Sequence, residues 1–351
     1  MKRRVVQTAV LRSLLIALMA LVFRWLHLPS PSLGAGFHPG GRVLLDAHNC
    51  YPSNGKGQAR MDRALRSGLP LAIEQDLVWY TDPRTGRSWS IISHGEPLTG
   101  HEPTLRDHFF ERIRPIVEDA LRAQHQDKWP LIVLNLDFKT NEPEHHKAIW
   151  SLLGEYESWL STAKKGATGE ADPLQVRPVL VLTGDSPTQQ SVFHDQLKVG
   201  ERLRVFGAVR WRSDRLESSP EEIVNEKVTN YRRWWNNPWR VVEREGQRNA
   251  GEWTATDQRR LEALVNHAHR LGLWIRFYTL NGHPAAETPG WMPSYNFGSL
   301  QKVQLRWRAC IEAGVDFIAT DQYESLSQIL VTSQAYRGVA SHVQEPARNP
   351  R

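Results

Sequence analysis

Apolar positions in this chain fall into short continuous runs separated by longer stretches in which they recur every three or four residues. Short runs bounded by turn signals predict buried strands, and the three-to-four period predicts amphipathic helices. Strands are predicted over 42–49 (RVLLDAHN), 71–79 (LAIEQDLVW), 130–140, 177–184, 204–210, 273–280 and 316–321. A further strand, 87–95 (RSWSIISHG), follows the turn TDPRTG, so 76–94 reads as a hairpin. Helices are predicted at 59–68, ending at Gly68, and at 104–124 with Pro115 as a break. Others are predicted at 143–161, 257–272, 299–314 and 324–336. Within 211–254 the pattern offers a helix in SSPEEIVNEKV and an aromatic-rich stretch, NYRRWWNNPW, to which no strand is assigned.

Strands that alternate with helices, and that are apolar throughout, predict a parallel sheet covered by helices. About eight strands in roughly 300 residues favour an α/β fold of the closed (β/α)8 TIM-barrel type over an open sheet. A glycine-rich phosphate loop is absent after the first strand, which argues against dinucleotide binding.

Polar residues inside these apolar runs are the chemical signal. Glu74 and Asp76 are two apart in a strand, so both face the same way. Two like charges on one face of a buried strand lose hydration and repel each other. Asp137 and Lys139 repeat the spacing in the next predicted barrel strand, and His48 and Asn49 end the first. Active sites of such barrels lie where the strands end. Three carboxylates converging there predict a hard divalent cation, Mg²⁺ or Ca²⁺, held by Glu74, Asp76 and Asp137. His48 and His94 then read as a proton-exchanging pair and Lys139 as a fixed positive charge for an anionic substrate.

The N-terminus is read separately. Lys2, Arg3 and Arg4 precede an apolar stretch from Ser13 to Phe23, and small residues follow near Gly34. That order predicts a signal peptide or N-terminal anchor over 1–35, hence export. Residues 36–336 read as one domain and 337–351 as a flexible tail. The formal charge of +6 includes five cations and no acid within 1–35, so the remainder carries +1. Nucleic-acid binding is therefore not expected. Cys50 and Cys310 are expected to be free thiols, because one follows a strand and the other lies mid-helix.

The ordered pieces DAHN, AIEQDLVW, ISHGEP, LNLDFKT, LVNHAHRLGLWIRFYTLNG and CIEAGVDFIATD resemble the phospholipase C-like phosphodiesterase superfamily, a TIM-barrel group that includes glycerophosphodiester phosphodiesterases and phosphatidylinositol-specific phospholipases C. The likeness spans most of 42–325. It implies catalytic His48 and His94, cation ligands Glu74, Asp76 and Asp137, and phosphate contact by Lys139. The chain departs from the glycerophosphodiesterase pattern at His48-Asn49-Cys50, where that group has His-Arg-Gly, and Asn49 becomes the donor in that place. The resulting expectation is an exported, metal-dependent phosphodiesterase acting on a lipid head group or glycerophosphodiester.

Two rival readings remain. A secreted glycoside hydrolase would use two of the carboxylates and stack sugars on loop tryptophans. A non-catalytic barrel would bind a lipid or protein through the same loops. Trp234, Trp235, Trp239 and Trp291 are the residues in question, and they also raise contact with a membrane surface. Asn230 is placed at a strand end facing the site, Trp291 is counted with it as substrate-binding, and Asp321 reads as a helix cap.

Overall fold

The computed structural model describes residues 37–52, 57, 59–124, 126–284 and 295–343, with side chains to 333. The leader and Trp291 lie outside the described residues. Eleven strands are present among them: β1 (Leu44–Ala47), β2 (Leu71–Thr81), β3 (Ser88–Ile92), β4 (Ile132–Phe138), β5 (Ala163–Lys164), β6 (Val179–Thr183), β7 (Arg202–Leu203), β8 (Phe206–Ala208), β9 (Arg232–Pro238), β10 (Trp274–Tyr278) and β11 (Phe317–Thr320). Parallel pairing runs β1-β2-β4-β6-β8-β9-β10-β11, and β11 pairs with β1, which closes the sheet. This is an eight-stranded (β/α)8 barrel whose strands follow chain order, as the alternating pattern predicts. The strands are apolar because each is covered on the outside by helices and filled on the inside by side chains.

The helices begin where capping side chains allow. Thr254 accepts from the backbone of Asp257, whose carboxylate returns the bond, in a capping box that starts the helix Ala255–Arg270. Ser299 caps Leu300–Ala313, and that helix ends at Gly314 in the left-handed conformation. The helix Glu111–Ala123 continues through Pro115 instead of breaking there. The final helix runs from Tyr323 to Val343, past its expected end at Tyr336. Among the described residues no helix is long and apolar enough to cross a membrane. Cys50 and Cys310 are both free and buried.

One expected hairpin and one departure from the sequence reading set the shape of the mouth. The strand 88–92 is not a barrel stave: β3 pairs antiparallel with the far end of β2, from Leu77 to Thr81. It returns the chain toward the barrel, and Ser93 N–H donates to the carbonyl of Asp76 at 3.1 Å. The missing stave is β9, RRWWNNP, which lies in the stretch given no strand. Its Asn and Pro residues signal a loop, yet Trp234 and Trp235 are both buried, so each face of the strand is covered. Trp239 is buried too. These three tryptophans belong to the core, which corrects their reading as binding-loop residues. Closure at this seam also depends on Gly207, where a Cβ would come within 2.4 Å of the Tyr231 ring.

Candidate active site

Strand register assembles the site. In the parallel β2–β4 pair, Glu74 stands opposite Asn135 and Asp76 opposite Asp137, so their side chains share the barrel's inner face at the strand ends. One oxygen each of Glu74, Asp76 and Asp137 lies within 4.8 Å of the others. Glu74 and Asp76 are buried and Asp137 is half-exposed. The Lys139 ammonium is 3.0 Å from Asp76 and 2.7 Å from Asp137.

Burial, then the neighbouring charges of Asp137 and Glu74, push the Asp76 carboxyl up to about 8. Its Oδ1 atom is buried and has no hydrogen-bond partner among the described residues. An all-oxygen donor set with an unpartnered buried carboxylate oxygen fits a hard divalent cation, which would offset the repulsion that raises Asp76. Glu74 behaves differently. Burial works to raise it, but His48 and Arg276 hold it below its ordinary value.

His48 is buried at the end of β1 and held from two sides. Nδ1 lies 3.3 Å from Asp321 Oδ2, and Nε2 lies 3.5 Å from Glu74 Oε2. Burial disfavours its charge, but Glu74 and then Asp321 overcome this and raise it to about 9. The raised imidazole favours its protonated form, which can give a proton. Asp321 is itself fixed by Arg60 at 2.9 Å and by Asn281 Nδ2 at 2.5 Å. Asn49 has a left-handed backbone (φ 52°), and its N–H donates to Glu74 Oε2 at 2.9 Å. Its side-chain amide is 2.7 Å from His48 Nδ1.

The structure brings His48, Asn49, Glu74, Asp76, Asp137 and Lys139 together. His94 is at the rim. It follows β3, is exposed, and has no hydrogen-bond partner among the described residues. Burial and the nearby Lys139 lower its basicity. Asn230 does not belong to the site, which corrects its placement. It precedes β9 instead of ending it, at the opposite end of the barrel, and donates to the carbonyl of Lys164 at 2.9 Å.

Sequence reasoning missed Arg276, Asp46 and Tyr51 and undervalued Asp321. Arg276 and Asp46 carried the same signal as Glu74, a charge inside an apolar strand. Arg276 bonds to Asp46 and reaches Glu74 at 3.1 Å.

The chain matches no protein-family model and no curated protein. Solved structures similar to it include a glycerophosphoryl diester phosphodiesterase from Parabacteroides distasonis, with a TM-score of 0.40 and 11% identity over 83% of this chain and 87% of that one. They also include dihydropteroate synthases. The one from Vibrio fischeri has a TM-score of 0.38 and 12% identity, covering 87% of this chain and 95% of its own. The one from Xanthomonas albilineans has a TM-score of 0.37 and 13% identity, covering 84% and 94%.

These findings correct the expected function. Several of the similar structures are dihydropteroate synthases and another is a phosphodiesterase, so the likeness does not single out cleavage of a lipid or glycerol phosphodiester by an exported enzyme. Of the two histidines, His48 is buried and anchored while His94 is exposed.

Proposed function

We propose that this chain is an enzyme that binds a divalent cation, Mg²⁺ or Ca²⁺, and an anionic, phosphate-bearing substrate at the C-terminal mouth of its barrel. The observation that carries this reading is the convergence of Glu74, Asp76 and Asp137 within 4.8 Å on adjacent strands. Those three residues would hold the cation, whose chemistry is to neutralise and polarise the substrate's anionic oxygens. Lys139 adds a positive charge at the same place and orients those oxygens. His48 gives a proton to a departing oxygen, and Asp321 holds its ring in place. Asn49 offers an amide beside it. His94 stands at the rim, where an entering substrate would pass.

The test is direct binding of Mn²⁺ to the full chain, followed by electron paramagnetic resonance. Phosphorus NMR then follows a panel of phosphodiesters, phosphomonoesters and diphosphates with Mg²⁺, with Ca²⁺ and with chelator. A new phosphorus signal that chelator suppresses supports the reading, and the substrate that yields it reports whether the bond broken is that of a phosphoric diester. A folded protein with no affinity for Mn²⁺ and no turnover of the panel would refute it.

A further inference from the structure

We propose that Gln247 is a positioning residue of the candidate site, holding the Thr279 turn that sets Tyr278 and Asn281 against His48 and its partner Asp321. This role rests on the reading of His48 as a proton donor and deepens it.

Three non-glycine residues have a left-handed backbone among the described residues: Asn49, Gln124 and Thr279. Asparagine tolerates that conformation, and Gln124 is an exposed helix end. Thr279 is different. It is β-branched and buried, with φ 71°, immediately after β10 at the mouth. A β-branched residue there is strained, and the strain persists only where the surroundings over-determine the backbone.

Gln247 supplies that constraint. It lies on the short helix Gly246–Asn249, in the segment after β9, and is buried. Its amide nitrogen donates to the Thr279 carbonyl at 2.7 Å and also bonds to the Thr279 hydroxyl. That hydroxyl in turn donates to the carbonyl of Tyr278 at 2.5 Å. Donors and acceptors balance. The amide NH₂ has two hydrogens for the two threonine oxygens, and the hydroxyl passes its own proton on. A carbonyl only accepts, so the amide must present its nitrogen to Thr279.

The turn has site residues on both sides. Before it, the Tyr278 ring lies nearly parallel to the His48 imidazole, with centroids 6.4 Å apart. After it, Asn281 Nδ2 donates to Asp321 Oδ2 at 2.5 Å. Asn281 Oδ1 accepts from the Asp321 N–H at 2.8 Å and the Thr320 hydroxyl at 2.9 Å. Asp321 Oδ2 is the oxygen 3.3 Å from His48 Nδ1. A Thr279 with negative φ would send the chain out of β10 in another direction and carry Asn281 away from Asp321. Gln247 therefore acts on His48 only through this turn.

The experiment uses the full chain with Mg²⁺ present. Gln247→Met keeps the side-chain length and removes the donor. Crystal structures of wild type and variant report the turn. In the variant, Thr279 should leave the left-handed region, and the Asn281–Asp321 contact should lengthen beyond about 3.5 Å. On a phosphate ester that the wild type turns over, kcat should fall about tenfold while KM and Mn²⁺ affinity hold. Adding Thr279→Gly to Gln247→Met should recover most of that kcat, because glycine adopts the turn unaided. A merely structural role would lower stability without this rescue. An unchanged turn and Asn281–Asp321 contact in folded Gln247→Met overturns the proposal, as does an unrescued loss of kcat. If Gln247→Met does not fold, the double variant decides. It should fold with the turn intact, and its failure to fold overturns the proposal. Wild-type turnover is read separately. Its absence would remove the phosphate-substrate reading, while the crystal structures still decide the role of Gln247.

Discussion

Arg276, in the middle of β10, passes β11 to bond with Asp46 on β1, and both side chains are buried inside the barrel. The same guanidinium reaches Glu74 on β2 and Asn236 on β9. One arginine thus ties together four staves beneath the candidate site. Burial alone would lower its basicity, but Asp46 and Glu74 hold it charged. Removing one partner of such a cluster leaves a buried charge unpaired, at a cost of about 3–5 kcal/mol. Arg276→Met should destabilise the protein by that amount in urea unfolding. A loss below about 1 kcal/mol would contradict this account of the cluster.

Asp76 makes a prediction of opposite sign. Burial and two neighbouring carboxylates raise it to about 8, so ionising it without a cation is unfavourable. Asp76→Asn should therefore be more stable than the wild type above pH 8 in chelator. Added Mg²⁺ or Ca²⁺ at about a hundredfold over its dissociation constant should stabilise the wild type by about 2.7 kcal/mol. The variant should show no such response in thermal denaturation.

Acid sensitivity should come from His145. It is buried in the helix Pro143–Glu155, 2.8 Å from Ser90 and 3.0 Å from Thr140. Burial, then the adjacent His146, lowers it to about 3. The unfolded chain binds this proton below about pH 6.5, whereas the native state does so only near pH 3. Stability is thus fully present at neutral pH and falls by about 1.4 kcal/mol per pH unit between those limits. Unfolding free energies at pH 7, 5.5 and 4 should show a shallower decline in His145→Gln.

The reassigned tryptophans can be tested by truncation. Trp234 faces the barrel interior, and its indole N–H donates to the carbonyl of Thr183 at 2.9 Å. Trp234→Ala should cost about 3–5 kcal/mol by leaving a cavity and an unpaired carbonyl. If the indole served an exposed binding loop instead, denaturant titration would show a change within about 0.5 kcal/mol.

Most staves were legible because a buried parallel strand must be apolar throughout, and seven runs, from RVLLDAHN to DFIATD, satisfy that rule locally. Glu74, Asp76 and Asp137 were legible for the same reason, since a carboxylate stands out in an apolar run and spacing by two assigns it a face. The stave RRWWNNP was not. Its Asn237 donates to the carbonyls of Trp235 and Arg276, a use of asparagine that exists only once β10 lies beside it.

By itself the sequence determined the alternation of strands and helices, hence the barrel, and which charges lie on buried faces. Both follow from side-chain type and from periods of two and 3.6 residues. Only the tertiary structure decided which charges meet. Asp321 and His48 are separated by most of the chain, as are Arg276 and Asp46, and closure of β11 onto β1 makes them neighbours. It also decided that Asn230 lies at the opposite end of the barrel from the site. Those outcomes depend on strand direction and register, which are set by packing between segments distant in the chain.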